Sequence, residues 1–472
     1  MAVYAPANAA EIIDDTNNNA TSVGDIVNLP SGAHDCSATT LAPSAGVTIN
    51  GNADGTTDIT GLFVVDLNDT TNLLTLSNFK VSSAAAAAGN VFEDGNFAFT
   101  DMEFDGTGMG ANKLINVKST TNASQCTMTG VNAHDSGADC ISFEDPGSVG
   151  TSWGKLYNCE ASTPGGGAND NCLTTHTGFI IDDYNGYYHT QNGGKAVVAA
   201  NATTMRLHGT VVEGRVDCSH AQNMSCAADL AADAFIVSKY AFRCEGIAAG
   251  TGGLAQGFRT DTASGVFQSI VITGDAYSSY LVFFNATTGT VKASRISTAS
   301  KSGRAGVYRN AGAGSDTVTI VNCYLDSNYY GMDLRCSQAS PGFTLKLYNC
   351  VFTDSGLLDI RFVDSGTGTL VQQSGYNCIP GNVSAAYTKS GDGPDINGEG
   401  EIHADLWPIE GGNCDIGEGH PSIRTLGEPD LYGRPKLRAY EDVIGPVYPQ
   451  RPNVRNNLVP LVQQGRDLVA AN

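Results

Sequence analysis

Two stretches of the chain contain residue types that could carry out acid–base chemistry. The first, DSGADCISFED (Asp135–Asp145), places Asp139, Glu144 and Asp145 close together. A pair of carboxyl groups can act as general acid and general base in the cleavage of a glycosidic bond. The same stretch also matches a turn-like phrase further along, LDSNYYGMDL (Leu325–Leu334), so a structural role in a turn is the preferred interpretation.

The second stretch, GGGANDNCLTTHTGFIIDDYNGYYH (Gly165–His189), is rich in titratable and aromatic residues. Its carboxyl and imidazole groups belong to Asp170, His176, Asp182, Asp183 and His189. These could gather at one site, with Asp182 and Asp183 as weak catalytic candidates, but a long solvated loop is the preferred interpretation. Alternatively, Tyr184, Tyr187 and Tyr188 could form a platform on which sugar rings stack, because tyrosine combines an apolar face with a polar edge.

Metal and cofactor binding is not expected from the sequence. His208, His220 and Cys218 lack the spacing of metal ligands. Gly165–Leu173 loosely resembles one calcium-binding nonapeptide, but sites of that kind need several stacked copies, and the chain shows one. We therefore expect no cofactor and no metal, with calcium as the alternative.

A loose repeat spaces short strands along the chain. The pairs Asn322-Cys323, Asn349-Cys350 and Asn377-Cys378 follow one another at intervals of 27 and 28 residues. They stand within short runs of alternating apolar residues, the period of a β-strand. Such units bury their apolar side chains only when successive coils stack. We therefore predict that these asparagines form an amide ladder at a turn and that the cysteines are buried, reduced and stacked.

This pattern resembles the right-handed parallel β-helix of the pectate-lyase-like superfamily. The resemblance covers Val47–Cys378 and implies an all-β, single-stranded helix of roughly 13 coils with an irregular C-terminal region. GDIVNLPSG, near the start, resembles the first coil of such proteins, and DLYGRPKLRAYE resembles their ending. We predict a cap and first coil at 1–46, the helix at 47–378, a loop-rich cap at 379–440 and a tail at 441–472.

The resemblance to sugar-cleaving β-helices is incomplete at the first stretch. ADCIS resembles half of the DDCI phrase of polygalacturonases, but Ala138 replaces its first aspartate, and the GHG and RIK phrases are missing. The sequence therefore favours a structural or adhesive protein that resembles bacteriophage tailspikes, head fibres and capsid decoration proteins. The alternative is a polysaccharide depolymerase, a lyase or a glycoside hydrolase, on the same scaffold.

Charge and hydropathy argue against some classes of partner. The net charge of -22 argues against nucleic acid, which requires clustered lysine and arginine. No stretch has the length of a membrane span, and the N-terminus lacks the features of a secretory signal. We expect a protein made in the host cytoplasm and carried in the virion, with an extracellular location as the alternative. A bacterial surface polysaccharide is a potential ligand.

The last 39 residues differ from the rest of the chain in charge. From Arg434 onward, six basic residues stand against three acidic ones, a net charge of +3. The tail also carries an apolar pattern. We predict that it attaches the protein to an acidic capsid or tail protein, or to further copies of itself as in a trimer. The predicted attachment residues are Arg451, Arg455, Leu458, Leu461, Val462 and Arg466.

Overall fold

A computed structural model gives the fold as two compact units, 1–222 and 223–472. It describes residues 1–147 except 53 and 84–88, and beyond residue 147 mainly the strands and a few residues beside them. Almost every element is a parallel strand, so the predicted parallel β-helix is confirmed. No helix in the described part of the chain is long and apolar enough to cross a membrane.

Each full coil of the first unit contributes one strand to each of three parallel ladders. The first ladder contains Val64–Ser77 and Asn90–Thr100 through their opening residues, then Ile115–Lys118, Ile141–Glu144, Asn171–Thr175, Lys195–Ala199 and Arg215–Cys218. The second contains Val3–Tyr4, Ile26–Asn28, Thr48–Asn50, the later residues of the same two long strands, Gln125–Thr129, Ser152–Tyr157, Phe179–Tyr184 and Thr204–His208. The third contains Gly32–Asp35, Thr57–Thr60, Lys80–Ser82, Glu103–Asp105, Asn132–His134, Glu160–Ser162, Tyr187–His189 and Val211–Glu213.

The second unit repeats this order of strands. Its three series are Gln256–Thr260, Tyr280–Asn285, Ala305–Asn310, Tyr330–Cys336 and Leu358–Asp364; Asn223–Cys226, Gly265–Gln268, Gly289–Lys292, Thr317–Val321, Thr344–Tyr348 and Val371–Gly375; and Tyr240–Cys244, Ile270–Gly274, Arg295–Thr298, Tyr324–Asp326 and Val351–Thr353. An antiparallel sheet follows, made of Trp407–Pro408, Cys414–Asp415 and Val443–Ile444. Among the described strands, the third series has eight members in the first unit and five in the second, and the predicted number of coils stays a prediction.

The start of the chain forms the only α-helix among the described residues, Ala9–Asp14, which continues as a π-helical turn, Asp15–Asn19. The Asn8 side chain caps the helix by accepting a hydrogen bond from the Glu11 backbone N–H at 3.1 Å. Ile12 is buried, so this short helix is held by packing as well as by its cap. The predicted domain boundaries stay a prediction.

Alternating side chains fill the interior of each coil. In the strand Asn90–Thr100, Phe92, Phe97 and Phe99 point inward and are buried. The rings of Phe92 and Phe99 lie 4.6 Å apart, and those of Phe92 and Phe97 lie 5.6 Å apart. Packed aromatic rings at such distances add to the stabilisation from removing their surface from water. The period-two pattern in the sequence therefore marks the residues that form the core.

The corner between the second and third ladders explains the repeated asparagine–cysteine pair. One residue at each of several corners has a positive φ: Asn78, Asp101, Gly130, Asn158 and Asn185. Glycine, asparagine and aspartate tolerate this conformation best. The Asn185 Nδ2 group donates to Asn158 Oδ1 at 3.4 Å, which is a rung of the predicted type of amide ladder.

The cysteine after the corner residue points inward. Cys159, Cys323 and Cys350 are buried and are in the thiol form. Their thiols lie 3.6, 3.5 and 3.5 Å from backbone carbonyl oxygens, those of Met128, Val291 and Ile320 respectively. The prediction of buried, reduced cysteines is thus confirmed for Cys323 and Cys350. Cys378 and the asparagines at 322, 349 and 377 lie outside the described residues.

Candidate functional site

Three consecutive coils of the first ladder place polar side chains side by side on its outer face. The register pairs Asn116 with Ser142 and Ser142 with Thr174, and it pairs Lys118 with Glu144. Such outward residues normally face water, yet Asn116, Ser142 and Thr174 are all buried. Neighbouring groups therefore shield this part of the outer face from water. We call Lys113, Asn116, Asp139, Glu144 and His176 the Lys113 cluster.

The Lys113 ammonium group lies at the centre of the cluster. It forms a close ion pair with Glu144 Oε1 and lies 4.0 Å from Asp139 Oδ2. It also donates to Ser142 Oγ at 3.1 Å. One cation therefore contacts two carboxyl groups. Asp139 lies in the turn before the strand Ile141–Glu144, and Glu144 is the last residue of that strand.

Asp139 lies deepest in the cluster, with 8 % of its side chain exposed. Its Oδ1 atom accepts hydrogen bonds from the backbone N–H and the Nδ2 group of Asn171, both at 2.9 Å. Burial raises the pKa of this carboxyl above its usual range, and the Lys113 charge and the Asn171 hydrogen bonds only partly oppose that effect. Asp139 therefore holds a proton more readily than an exposed aspartate.

Glu144 shows the opposite shift. Burial alone would raise its pKa, but the Lys113 hydrogen bond and charge and the Asn116 hydrogen bond of 3.1 Å outweigh burial and lower the pKa. The His176 Nε2 atom lies 3.8 Å from Glu144 Oε1. Burial and the Lys113 charge lower the pKa of His176, which favours the neutral imidazole. Of the two carboxyl groups in the cluster, Glu144 therefore loses its proton at the lower pH.

The loop that carries Lys113, directly before the strand Ile115–Lys118, makes a close contact with the preceding coil. Gly89 passes so close to this loop that a Cβ atom there would overlap the backbone carbonyl oxygen of Lys113. Only glycine permits such a close approach of two backbones. The position of the ammonium group therefore depends on a glycine one coil away.

The structure brings the first group of predicted carboxylates together and separates the second. Asp139 and Glu144 share Lys113, and Asp145 is buried beside Gly178. In contrast, Asp182 and Asp183 point to opposite sides of the strand Phe179–Tyr184. Asp182 forms an outer ion pair with Arg206 at 3.0 Å, away from the Lys113 cluster on a different ladder.

Asp183 points into the interior and is fully buried. The Tyr188 hydroxyl donates to its Oδ1 atom at 2.7 Å, and the Thr210 hydroxyl donates to its Oδ2 atom at 2.5 Å. Burial raises the pKa of Asp183 to about 6, although these hydrogen bonds oppose the shift. Asp183 and Tyr188 therefore form an internal polar network.

The three predicted glycan-binding tyrosines do not form one platform. Tyr188 is buried, so its prediction as a surface residue is corrected: alternation along Tyr187–His189 turns it inward. Tyr187 lies near His189 on the third ladder, with ring centres 6.3 Å apart. Tyr184 lies on the second ladder and stacks on Tyr157, a residue that the sequence analysis did not single out.

A second charged cluster lies on the outer face of the third ladder. Ligand atoms of Glu103, Asp105 and His134 all lie within 4.8 Å of one another, a spacing compatible with a metal ion. However, the Lys80 ammonium group lies 3.0 Å from Glu103 Oε1 and 2.7 Å from Asp105 Oδ2. Lys80 thus already pairs with both carboxylates, and the expectation of a protein without a metal stays a prediction.

The predicted attachment residues, from Arg451 to Arg466, lie outside the described residues. The sequence analysis missed Lys113 and Asn116, although both belong to the cluster. Their outward positions become visible only once Asn116 is aligned with Ser142 across coils.

No protein-family model matches the chain, and no curated protein matches it. Solved structures are similar to it at low identity. The A-module of mannuronan C-5 epimerase AlgE4 from Azotobacter vinelandii shares 14% identity over 78% of this chain and 93% of that chain, with a TM-score of 0.32. A mannuronic acid-specific family 6 polysaccharide lyase from human gut microbiota shares 10% identity over 98% and 99%, with a TM-score of 0.36. PfbA, a surface adhesin of Streptococcus pneumoniae, shares 9% over 74% and 82%, with a TM-score of 0.25.

Proposed function

We propose that this protein is a polysaccharide depolymerase that hydrolyses glycosidic bonds at the Lys113 cluster. The observation that supports the proposal is the opposite tuning of two carboxyl groups around one lysine. The pKa of Asp139 is raised and the pKa of Glu144 is lowered, while both groups contact the Lys113 ammonium. Two carboxyl groups whose environments push their pKa values apart are suited to act as general acid and nucleophile.

The roles follow from the protonation states. Protonated Asp139 gives its proton to the glycosidic oxygen as the bond to the anomeric carbon breaks. Ionised Glu144 attacks that carbon and forms a covalent glycosyl-enzyme; a water molecule, which gives its proton to the now ionised Asp139, then releases the sugar and frees Glu144, so that one water molecule is added across the bond. Both carboxyl groups contact the Lys113 ammonium, and this short separation suits a double displacement. Lys113 keeps Glu144 ionised, and neutral His176 beside it provides a hydrogen-bonding group for a sugar hydroxyl.

Hydrolysis fits the cluster better than β-elimination. A lyase needs a cation that is available to neutralise the uronate carboxylate of its substrate. Lys113 is instead held by Glu144, Asp139 and the Ser142 hydroxyl. Three further statements stay predictions: the virion location, the capsid or tail partner, and the attachment role of the C-terminal tail. A depolymerase carried on a virion would be consistent both with these predictions and with the proposed activity.

Incubation of the purified protein with a panel of neutral and acidic bacterial polysaccharides tests the proposal. New reducing ends without ultraviolet absorbance at the wavelength of unsaturated uronates indicate hydrolysis, whereas that absorbance indicates a lyase. Glu144→Gln and Asp139→Asn should abolish cleavage. Glu93→Gln is the matched control, because Glu93 and Glu144 both lie in register with Lys118 on the first ladder. Cleavage that survives both cluster variants would refute the assignment.

A further inference from the structure

The second ladder carries a second set of side chains suited to ligand binding. It lies on three adjacent strands, Ser152–Tyr157, Phe179–Tyr184 and Thr204–His208. We call this set the aromatic surface; its residues are Trp153, Lys155, Tyr157, Asp182, Tyr184 and Arg206. All six are half-buried or exposed, in contrast to the buried residues that alternate with them.

Two rings of the aromatic surface stack on each other, and a lysine lies over the third. Tyr157 and Tyr184 are paired in the register, and their rings lie 5.0 Å apart at an angle of 7°. Trp153 lies on the same side of its strand four residues before Tyr157, which at the rise of a β-strand is about 13 Å away. The rings thus cover a length greater than that of a single sugar unit.

The charge of the aromatic surface differs from that of the whole protein. Lys155 and Arg206 provide two cations against one acid, Asp182, whereas the chain has a net charge of -22. The Lys155 ammonium lies 5.0 Å from the centre of the Trp153 ring, and Arg206 NH1 lies 3.0 Å from Asp182 Oδ1. A local excess of positive charge on an acidic protein favours an anionic ligand at this place.

The preceding coil shows that these rings are not a general feature of the ladder. Thr127 is in register with Lys155, and Thr129 is in register with Tyr157. Threonine at both positions completes the same parallel sheet, so the strand pairing does not require the larger side chains. The aromatic and basic residues begin at the coil of Ser152–Tyr157, which follows the strand that bears Glu144.

We propose that the aromatic surface binds an anionic glycan chain. The Trp153 ring, on the face that Lys155 does not cover, would pack against the apolar face of a sugar ring, and the stacked tyrosines would border the chain with their edges. Lys155 and Arg206 would pair with the carboxylate or sulfate groups of the chain. The proposal extends the proposed function by naming the class of substrate, because the same chain would reach the Lys113 cluster on the adjoining ladder. Its substrate assignment rests on that function, while binding at the surface is independent of it.

Affinity electrophoresis through gels that contain polygalacturonate, hyaluronan or chondroitin sulfate tests the binding, with neutral dextran as the comparison. The Glu144→Gln protein is used so that cleavage does not alter the gel. We expect retardation by at least one of the anionic polymers and none by dextran. Trp153→Ala, and the double variant Lys155→Gln with Arg206→Gln, should each weaken binding about tenfold or more. Retardation should also decrease with added salt.

Thr127→Ala and Thr129→Ala are the matched controls and should bind as the parent does. Tyr157→Phe with Tyr184→Phe keeps the stacked rings and should also retain binding, which separates stacking from loss of folding. The proposal is overturned if no anionic polymer is bound, if dextran is bound equally well, or if the Trp153 and cation variants bind normally. Binding without cleavage by the unmodified protein would refute the hydrolase alone, whereas cleavage that is unaffected by the surface variants would refute the substrate role of the surface.

Discussion

The buried carboxyl group of Asp183 predicts a pH-dependent stability that one substitution should remove. Asp183 lies inside the first unit, where the hydroxyl groups of Tyr188 and Thr210 are its hydrogen-bond donors. Burial raises its pKa from 3.8 to about 6. The shift is about 2 pH units, and each unit corresponds to about 1.4 kcal/mol, so the effect on the free energy of unfolding is about 3 kcal/mol.

The sign follows from the two protonation states. Well below pH 3.8, Asp183 is protonated in both the folded and the unfolded chain, and the protonated form is accommodated well in the fold. As the pH rises toward about 6, the unfolded chain loses this proton freely, while the fold resists placing a charge in its interior. The stabilisation present below the unfolded pKa is therefore lost as the pH rises through the folded pKa.

The assay compares the parent with Asp183→Asn by urea unfolding at pH 4 and pH 7.5. The difference in unfolding free energy between the two proteins should move by about 2 kcal/mol in favour of the variant at the higher pH, because part of the full effect has already developed at pH 4. Asp182→Asn removes a carboxylate from the outer side of the same strand and controls for a general change of charge. A difference between parent and Asp183→Asn that does not change with pH would refute the reasoning.

Three further predictions concern the core and the cluster. Cys350→Asp should destabilise the protein by about 3–5 kcal/mol because it places an unpaired charge at a fully buried position, whereas Cys350→Val should cost far less; urea unfolding measures both, and equal losses would contradict the inward position. Gly89→Ala should reduce cleavage at least about tenfold by displacing Lys113, whereas Gly61→Ala, where a Cβ would make only ordinary contacts at 3.5 Å, should not; equal rates for the two would show that the close approach is unimportant. Cleavage should be strongest at acidic pH and fall as Asp139 ionises, and Lys113→Met should move the acidic limb of the profile to higher pH because Glu144 loses its cation; an unchanged profile would contradict the role of Lys113.

The fold could be predicted because it depends on features that are local in the sequence. Alternating apolar residues define the strands, and the asparagine–cysteine pair combines a residue that tolerates positive φ with a small residue that fits inside the coil. Asp183 also follows this rule, since it is in phase with the buried Phe179 and Ile181. Strict alternation along these strands predicts that Asp183 and Asp182 point to opposite sides and that Tyr188 points inward.

The Lys113 cluster could not be predicted because it depends on the register between coils. Ile115 pairs with Ile141, and Ile141 pairs with Leu173, so successive coils advance by 26 and 32 residues. Loops of unequal length absorb this difference and leave no constant spacing between Lys113 and the groups it contacts. The tuning of Asp139 and Glu144 likewise depends on burial of an outward face, which the polar composition of these strands does not reveal.

The most direct test of the account measures reducing ends released from a cleaved polysaccharide by the parent, Glu144→Gln, Asp139→Asn and Glu93→Gln proteins, after circular dichroism has shown that all four are folded. We predict that the parent and Glu93→Gln release saturated oligosaccharides at similar rates and that the two cluster variants lose at least about a hundredfold in rate. Release by Glu144→Gln or Asp139→Asn at the rate of the parent, or no release by any of the four from the whole panel, would contradict the central claim.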